Sequence, residues 1–391
     1  MAFRLGILGG GLQGTEAALL ARMAGWETLV VDGRPAPPAS GLAGSFVQAV
    51  IAAPSDLDRA FHGVDMVLPA LEDPDTLEIA EAWRDRWASP PLAFDFGAFR
   101  VSRDKHLSRR LFQETGIPCP RQLPQARLPL ITKPADRSGS RGVAVLSTPD
   151  ELRRALDSGT NPVIEEYCPG PSYSLEVTGS PGSYRTWQVT LLEMDEIFDC
   201  RRVTAPAELS PADAEVLRGH ALATAGALGL RGIMDMEIIM SPIGMKVLEI
   251  DARLPSQTPA CVYLSTGENL LVRLARIFAD VAGGDADPVP GAPKGAVYEH
   301  LALEPDGIRS TGEHRLASAG PLRIEEGFMG CDFALMDPKG AEAGGVVTLL
   351  ASGRDLPEAV ARRDETVARL SRKLGIRSRG DSSGKAKAGR Q

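Results

Sequence analysis

Short apolar runs recur along the first third of the chain, each followed by a stretch with helical spacing. Phe3 to Leu8 reads as a buried strand, Gly9 to Gly14 as a turn, Thr15 to Ala24 as a helix and Glu27 to Asp32 as a second strand. This is the β-α-β opening of a parallel sheet. A strand over Asp65 to Ala70 and a helix from about Thr76 to Trp87 continue the alternation until about Phe99. From Ser102 the pattern becomes α+β: a basic helix from Lys105 to Thr115, a strand ending in Ile131-Thr132-Lys133-Pro134, a glycine-rich loop, then Val163-Ile164-Glu165-Glu166-Tyr167. Gly283 to Gly291 reads as a connector before a smaller β-rich region from Gly295. Ser378 to Gln391, rich in Gly, Ser, Lys and Arg, reads as a disordered tail.

Two further strand-like runs, Asp235 to Met240 and Met245 to Asp251, flank Ser241-Pro242-Ile243-Gly244. A hairpin closed at Ile243 sets Glu237 opposite Glu249. Because strand residues alternate faces, Asp235, Glu237, Glu249, Asp251 and Arg253 project one way, and Met236, Ile238, Leu248, Ile250 and Ala252 the other. Like charges opposed across a ladder repel. Four carboxylates and a guanidinium over a greasy opposite face point to a divalent cation, Mg²⁺ above others, which favours carboxylate oxygens together with substrate phosphates. The alternative is a solvated charged face.

At 391 residues and 43% hydrophobic content, the chain fits a soluble globular protein of two or three domains. Its start is too short in apolar span for a signal peptide, so a cytoplasmic protein without a membrane partner is expected. Five scattered cysteines without C-x-x-C spacing read as reduced thiols and argue against structural zinc. A net charge of -8 argues against a nucleic-acid partner.

Gly9-Gly10-Gly11-Leu12-Gln13-Gly14 fits G-x-G-x-x-G after a strand, with Asp32 ending the next one. The turn serves a nicotinamide cofactor, another ligand at a helix N-terminus, or the backbone alone. Lys105 opens a helix, and Lys133 ends a strand before Ser138-Gly139-Ser140-Arg141-Gly142. Backbone N–H groups of such a loop surround phosphate oxygens while lysines supply point charges. The run into Glu165-Glu166-Tyr167-Cys168 offers an extended backbone for an adenine edge and a glutamate for ribose hydroxyls. No G-x-S-x-G and no metal-spaced histidines occur, which disfavours covalent catalysis.

Taken in order, Lys105, Lys133 with its loop, Glu165 to Cys168, Glu237 and Glu249-x-Asp251-x-Arg253 resemble the ATP-grasp superfamily. The resemblance narrows at Gly232 to Glu237 and at Glu249 to Pro259, which look like the 3-methylornithine:lysine ligases of pyrrolysine biosynthesis. Gly10-x-Leu12-Gln13-Gly14, Asp95-Phe96, Ser102 to Lys105, Ser174 to Val177, Asp195-Glu196, Asp199-Cys200, Tyr298-Glu299-His300 and Gly353-Arg354-Asp355 also read like that family. The chain departs from it at Gly11, where the family often has lysine, and over Pro134 to Gly142.

The resemblance implies an α/β chain of ATP-grasp fold with an N-terminal Rossmann-like domain. Its expected divisions are 1–98, a central subdomain 99–180, a C-terminal domain 181–376 with the metal hairpin, and the tail 377–391. It implies ATP and two Mg²⁺ ions as cofactors, with Glu237, Glu249 and Asp251 on metal. Lys105, Lys133, Ser138, Gly139, Ser140 and Glu165, Glu166, Tyr167, Cys168 would hold ATP, with Arg253 and Lys133 catalytic. Leu12, Gln13 and Glu72 would hold L-lysine. Ser174, Leu175, Glu176, Asp251, Arg253, Ser256, Gln257 and Thr258 would hold 3-methyl-D-ornithine. The expected reaction is ATP-dependent amide formation through an acyl phosphate, with a homodimer left open. The competing readings are another ATP-grasp amino-acid ligase, a carboxylating relative of purine synthesis, and a nicotinamide-dependent dehydrogenase.

Overall fold

The computed structural model describes residues 2–86, 90–136, 139–159, 161–279, 281 and 294–376. The expected connector and tail, Trp87 and Ser138 lie outside the described residues.

The opening alternation folds into a four-stranded parallel sheet, ordered 45–48, 27–32, 4–8, 66–69. Leu5, Ile7, Val30 and Leu68 face one core, Leu8, Leu29, Val31 and Val67 another, so both faces are covered as a parallel sheet requires. The first helix starts at Leu12 rather than Thr15, with the Thr15 N–H donating to the Gly11 carbonyl at 2.9 Å. Its glycines serve packing: a Cβ on Gly10 would lie 2.7 Å from Pro37, and one on Gly14 would lie 2.1 Å from the Gly9 oxygen. A short helix, Pro54–Ala60, was not expected; the expected one is Pro74–Arg84, started early by the Asp73 side chain, which accepts from the Thr76 N–H.

Near Phe99 the chain does not break. Asp95 caps a helix, Phe96–Arg103, that runs through this point, and Asp104 caps the next, Lys105–Glu114. The segment 130–133 then pairs antiparallel with 144–146 and 163–166 in a three-stranded sheet. The remaining strands form one large antiparallel sheet. Its order is 244–251, 232–241, 172–180, 190–194, 200–205, 295–304, 346–353, 333–336, 323–326, with 183–186 and 307–310 branching from it.

The acidic hairpin spans Gly232–Ser241 and Gly244–Asp251, with Glu237 opposite Glu249 and Asp235 opposite Asp251 as the spacing predicts. Met236, Ile238, Ile250 and Ala252 sink into a core shared with Phe112 and Leu217. Leu248 does not join them. The register shifts between Glu237 and Ile238, so Leu248 falls in a bulge and turns to the cavity beside Glu249.

Candidate active site

Lys105 and Arg109 lie one turn apart on the helix Lys105–Glu114, and both are buried. Arg109 forks onto Glu165 with Nε and Nη2 at 2.8 and 2.9 Å, and Nη2 also donates to the Leu248 carbonyl at 2.7 Å. Lys133 closes on Glu165 at 2.7 Å. Burial works to raise the Glu165 carboxyl, yet Lys133 and Arg109 together hold it below the usual range. Glu166 is taken by the Arg121 N–H and Nε at 3.0 and 2.6 Å. Both glutamate side chains expected on adenosine are therefore engaged by arginine or lysine in this structure. Tyr167 and Cys168 line the cavity itself, of about 230 Å³, with Lys105, Lys133, Gly139, Ser140, Glu237 and Glu249. The Ser140 hydroxyl donates to the Phe198 carbonyl at 2.5 Å.

Further along the same face of the hairpin lies a second cavity of about 100 Å³, walled by Asp199, Asp235, Glu237, Glu249, Asp251 and Glu313 around Arg253. Its acids are crowded. Burial, then the charge of Glu249, pushes the Glu237 carboxyl well up; burial likewise raises Asp251 well up and takes Asp235 to about 7. Glu176, opposite Asp235 on the neighbouring strand, is also raised to about 7 by burial. Neither Glu176 oxygen closes a hydrogen bond of ordinary geometry, and Asp235 Oδ1, Arg253 Nε and Gln257 Oε1 are likewise buried without one. Glu313 accepts from the Ser256 hydroxyl at 2.7 Å and from Gln257 Nε2 at 2.9 Å.

A third space, about 610 Å³, opens at the C-terminal ends of the parallel strands, with Gln13, Asp32, Arg34, Glu72 and Arg141 in its wall. Gln13 Nε2 donates to Glu72 at 3.1 Å, Glu72 pairs with Arg253 at 2.5 Å, and Arg253 with Asp251 at 2.6 Å. This chain of contacts joins the crevice to the acidic cavity. Asp32, the expected ribose acid of a dehydrogenase, instead accepts from the Gly10 N–H at 2.7 Å and from Arg34.

Most predicted site residues thus converge, with three differences. Leu175 is fully buried in the core beneath the sheet, because alternation sends Ser174 and Glu176 to the site and Leu175 away from it. Leu12 packs on the core rather than lining a cavity. Asp251 is committed to Arg253. The sequence reading missed Arg109, whose signal was its i,i+4 spacing from Lys105, and Glu313, which carried none.

Among the described residues no three His, Cys, Asp or Glu groups converge into a metal cage. Mg²⁺ commonly takes one or two carboxylates plus substrate phosphates, and the opposed Glu237 and Glu249, bordering the lysine-lined cavity, fit that donor set.

The family described as an ATP-grasp domain matches residues 102–257. The fold is shared with N5-carboxyaminoimidazole ribonucleotide synthetase from Thermus thermophilus, at a TM-score of 0.67 and 20% identity over 95% of this chain and 99% of that one. A biotin carboxylase from Campylobacter jejuni gives a TM-score of 0.71 at 14% identity, covering 95% of each chain. Fold and site together define an ATP-grasp enzyme, a class that uses ATP and Mg²⁺. Across 94% of its length the chain is 35% identical to the 3-methyl-D-ornithine–L-lysine ligase of Methanosarcina mazei, covering 96% of that enzyme. It is 37% identical to the Methanosarcina acetivorans ligase over 77% of this chain and 80% of that enzyme. The chain belongs to this family of ligases.

Proposed function

We propose that the chain joins (3R)-3-methyl-D-ornithine to the ε-amine of L-lysine. The donor carboxylate attacks the γ-phosphorus of ATP and ADP leaves. The lysine ε-amine then attacks the acyl phosphate, phosphate leaves, and 3-methyl-D-ornithyl-N6-L-lysine remains. The observation that carries this reading is the acidic cavity on the carboxylate face of the hairpin, next to the lysine-lined one: six carboxylates around one arginine suit a donor bearing ammonium groups. A purine-pathway carboxylation brings bicarbonate and a phosphorylated sugar, and anions are repelled there.

Lys105 and Lys133 neutralise phosphate oxygens, with Gly139 and Ser140 over them and Tyr167 and Cys168 along the adenosine. Glu237 and Glu249 would hold two Mg²⁺ ions, which would supply charge neutralisation for the transferring phosphoryl group. Arg253 stabilises negative charge developing on the donor carbonyl, where a preorganised cation acts strongly because it is buried. Ser174, Glu176, Asp251, Ser256, Gln257 and Thr258 hold the donor. Gln13 and Glu72 hold the acceptor at the crevice mouth, from which its side chain passes towards Arg253. The same reading assigns residues 1–98, 99–180 and 181–376 to three units, a cytoplasmic location, and leaves a homodimer open. Among the described residues no helix is long and apolar enough to cross a membrane.

With D-ornithine, L-lysine and Mg-ATP, mass spectrometry is expected to show an isopeptide to lysine N6. A product linked through the α-amine, or phosphate release indifferent to lysine with no amide formed, overturns the reading.

A further inference from the structure

The helix Thr258–Thr266 begins beside the acidic cavity and has no side-chain cap of its own. Its entry is strained. Gln257 sits at φ +68°, ψ −52°, and the Thr258 N–H reaches back to the Ser256 carbonyl at 2.8 Å. An i to i+2 bond at those angles is the rare form of γ-turn, costly for a residue with a Cβ. Such a conformation persists only where surrounding contacts over-determine it. One is already in the site: Gln257 Nε2 on Glu313.

The other comes from the opposite end of the chain. Glu16, 1% exposed, lies one turn beyond Gln13 on the helix Leu12–Met23. Its Oε1 accepts from the Ala260 N–H at 2.6 Å, and the Gln257 peptide N–H also bonds the carboxylate. We propose that Glu16 is a positioning residue for the donor amino acid, capping the helix Thr258–Thr266 from outside and holding the Ser256-Gln257-Thr258 turn against the acidic cavity.

This rests on the ligase reading above and adds to it a residue that touches no substrate. It also makes the first helix common to both amino acids: Gln13 serves the acceptor side together with Glu72, and Glu16 reaches the donor side through the turn. Burial pushes the Glu16 carboxyl up to about 8, with Glu176 and Glu313 adding to the rise, so a neutral glutamine is a close stand-in.

Steady-state kinetics on the full-length chain with D-ornithine, L-lysine and Mg-ATP test this. Glu16→Ala is expected to raise the KM for D-ornithine by about tenfold or more, the scale of one lost buried hydrogen bond to a charged or strongly polar group, while the KM for ATP moves less than about twofold. Glu16→Gln keeps an oxygen opposite the Ala260 N–H and is expected to restore the D-ornithine KM to within about threefold. Should Glu16→Ala not fold, Glu16→Asp, one methylene too short to reach Ala260, provides the same contrast with glutamine. Equal rises in both Michaelis constants, or a glutamine variant as impaired as alanine, overturn the proposal. A wild-type chain that forms no amide overturns the ligase reading instead. The positioning role then stands or falls on amide hydrogen exchange in the unliganded protein. Faster exchange at Ala260 in the alanine or aspartate variant but not in the glutamine variant supports it, and unchanged exchange in all of them overturns it.

Discussion

Glu249→Gln separates what the hairpin acids do for chemistry from what they do to stability. Glu249 stands directly across the ladder from Glu237, where Cβ atoms lie roughly 5 Å apart. With both ionised, two unit charges at that separation repel by roughly 3 kcal/mol at an effective dielectric constant of about 20, an upper bound because the raised Glu237 carboxyl holds its proton part of the time. The Glu249 side chain is 39% exposed, so solvent screening reduces this to roughly 1 kcal/mol. Lys105, 3.8 Å from the Glu249 oxygen, offsets a few tenths of that at most. Removing the charge is therefore expected to leave the unliganded chain as stable as before or raise Tm by about 1 °C, given about 2 cal/mol/K of unfolding entropy per residue.

Catalysis is expected to move the other way. Losing one preorganised electrostatic contact to the transferring phosphoryl group costs about 2.7 kcal/mol or more, at least a hundredfold in turnover. ADP release with both amino acids present measures the first effect, and thermal unfolding without ligands measures the second. Turnover within about threefold of wild type removes Glu249 from the metal site. A Tm lower by several degrees refutes the repulsion argument, because the carboxylate is then a structural contact.

Glu72→Gln is expected to raise the KM for L-lysine by about tenfold or more and that for ATP by less than about threefold, the span of one charge-assisted hydrogen bond; equal effects refute the acceptor placement. Arg109→Leu leaves the fully buried Glu165 with Lys133 alone and is expected to cost about 3–5 kcal/mol by denaturant unfolding, with the Arg109→Leu, Glu165→Leu double variant recovering much of it. A single variant within about 1 kcal/mol of wild type refutes that account. Glu16 and Glu176, raised to about 8 and about 7, hold protons in the folded chain that the unfolded chain releases near 4.5. Stability of the unliganded protein is thus full below about pH 4.5 as far as these two groups are concerned, and declines as pH rises to about 8. Thermal unfolding across that range is expected to show the decline, less steeply above pH 7 in Glu16→Gln; equal slopes in the two chains refute the assignment.

What could be read from sequence was local. The hairpin declares itself because two alternating acidic strands share a four-residue turn, and their register follows from the turn alone. The bulge at Leu248 did not, since a one-residue slip is set by the partner strand and by Arg109 donating to the Leu248 carbonyl. Leu175 was misjudged for a related reason: a matching stretch carries no information about which face its members take. Contacts between distant segments were invisible. Arg109 meets Glu165 across 56 residues, and Glu16 meets Ala260 across 244. The glycine loop left its use open. A tight turn packed on Pro37 and a turn cradling phosphates have the same sequence, and only Asp32 already bonded to Gly10 and Arg34 separates them.

The surplus of buried acid explains both the cost and the selectivity of this site. In the empty chain, Asp235, Glu237 and Asp251 crowd one face with Arg253 as their cation, and burial protonates part of the set. Each proton retained supplies positive charge that a ligand cation can supply instead, so an ammonium or Mg²⁺ gains the interaction and displaces the proton. An anionic substrate gains nothing there and must also desolvate against like charge. On the proposed reading ATP avoids this penalty, because its phosphates would meet Lys105 and Lys133 in the neighbouring cavity on the same face of the hairpin. Glu237 and Glu249 border both spaces. On that reading Glu237 and Glu249 mark the seam between a cavity for polyphosphate and one for diamino acids, where the reacting carboxylate and γ-phosphate would be brought together.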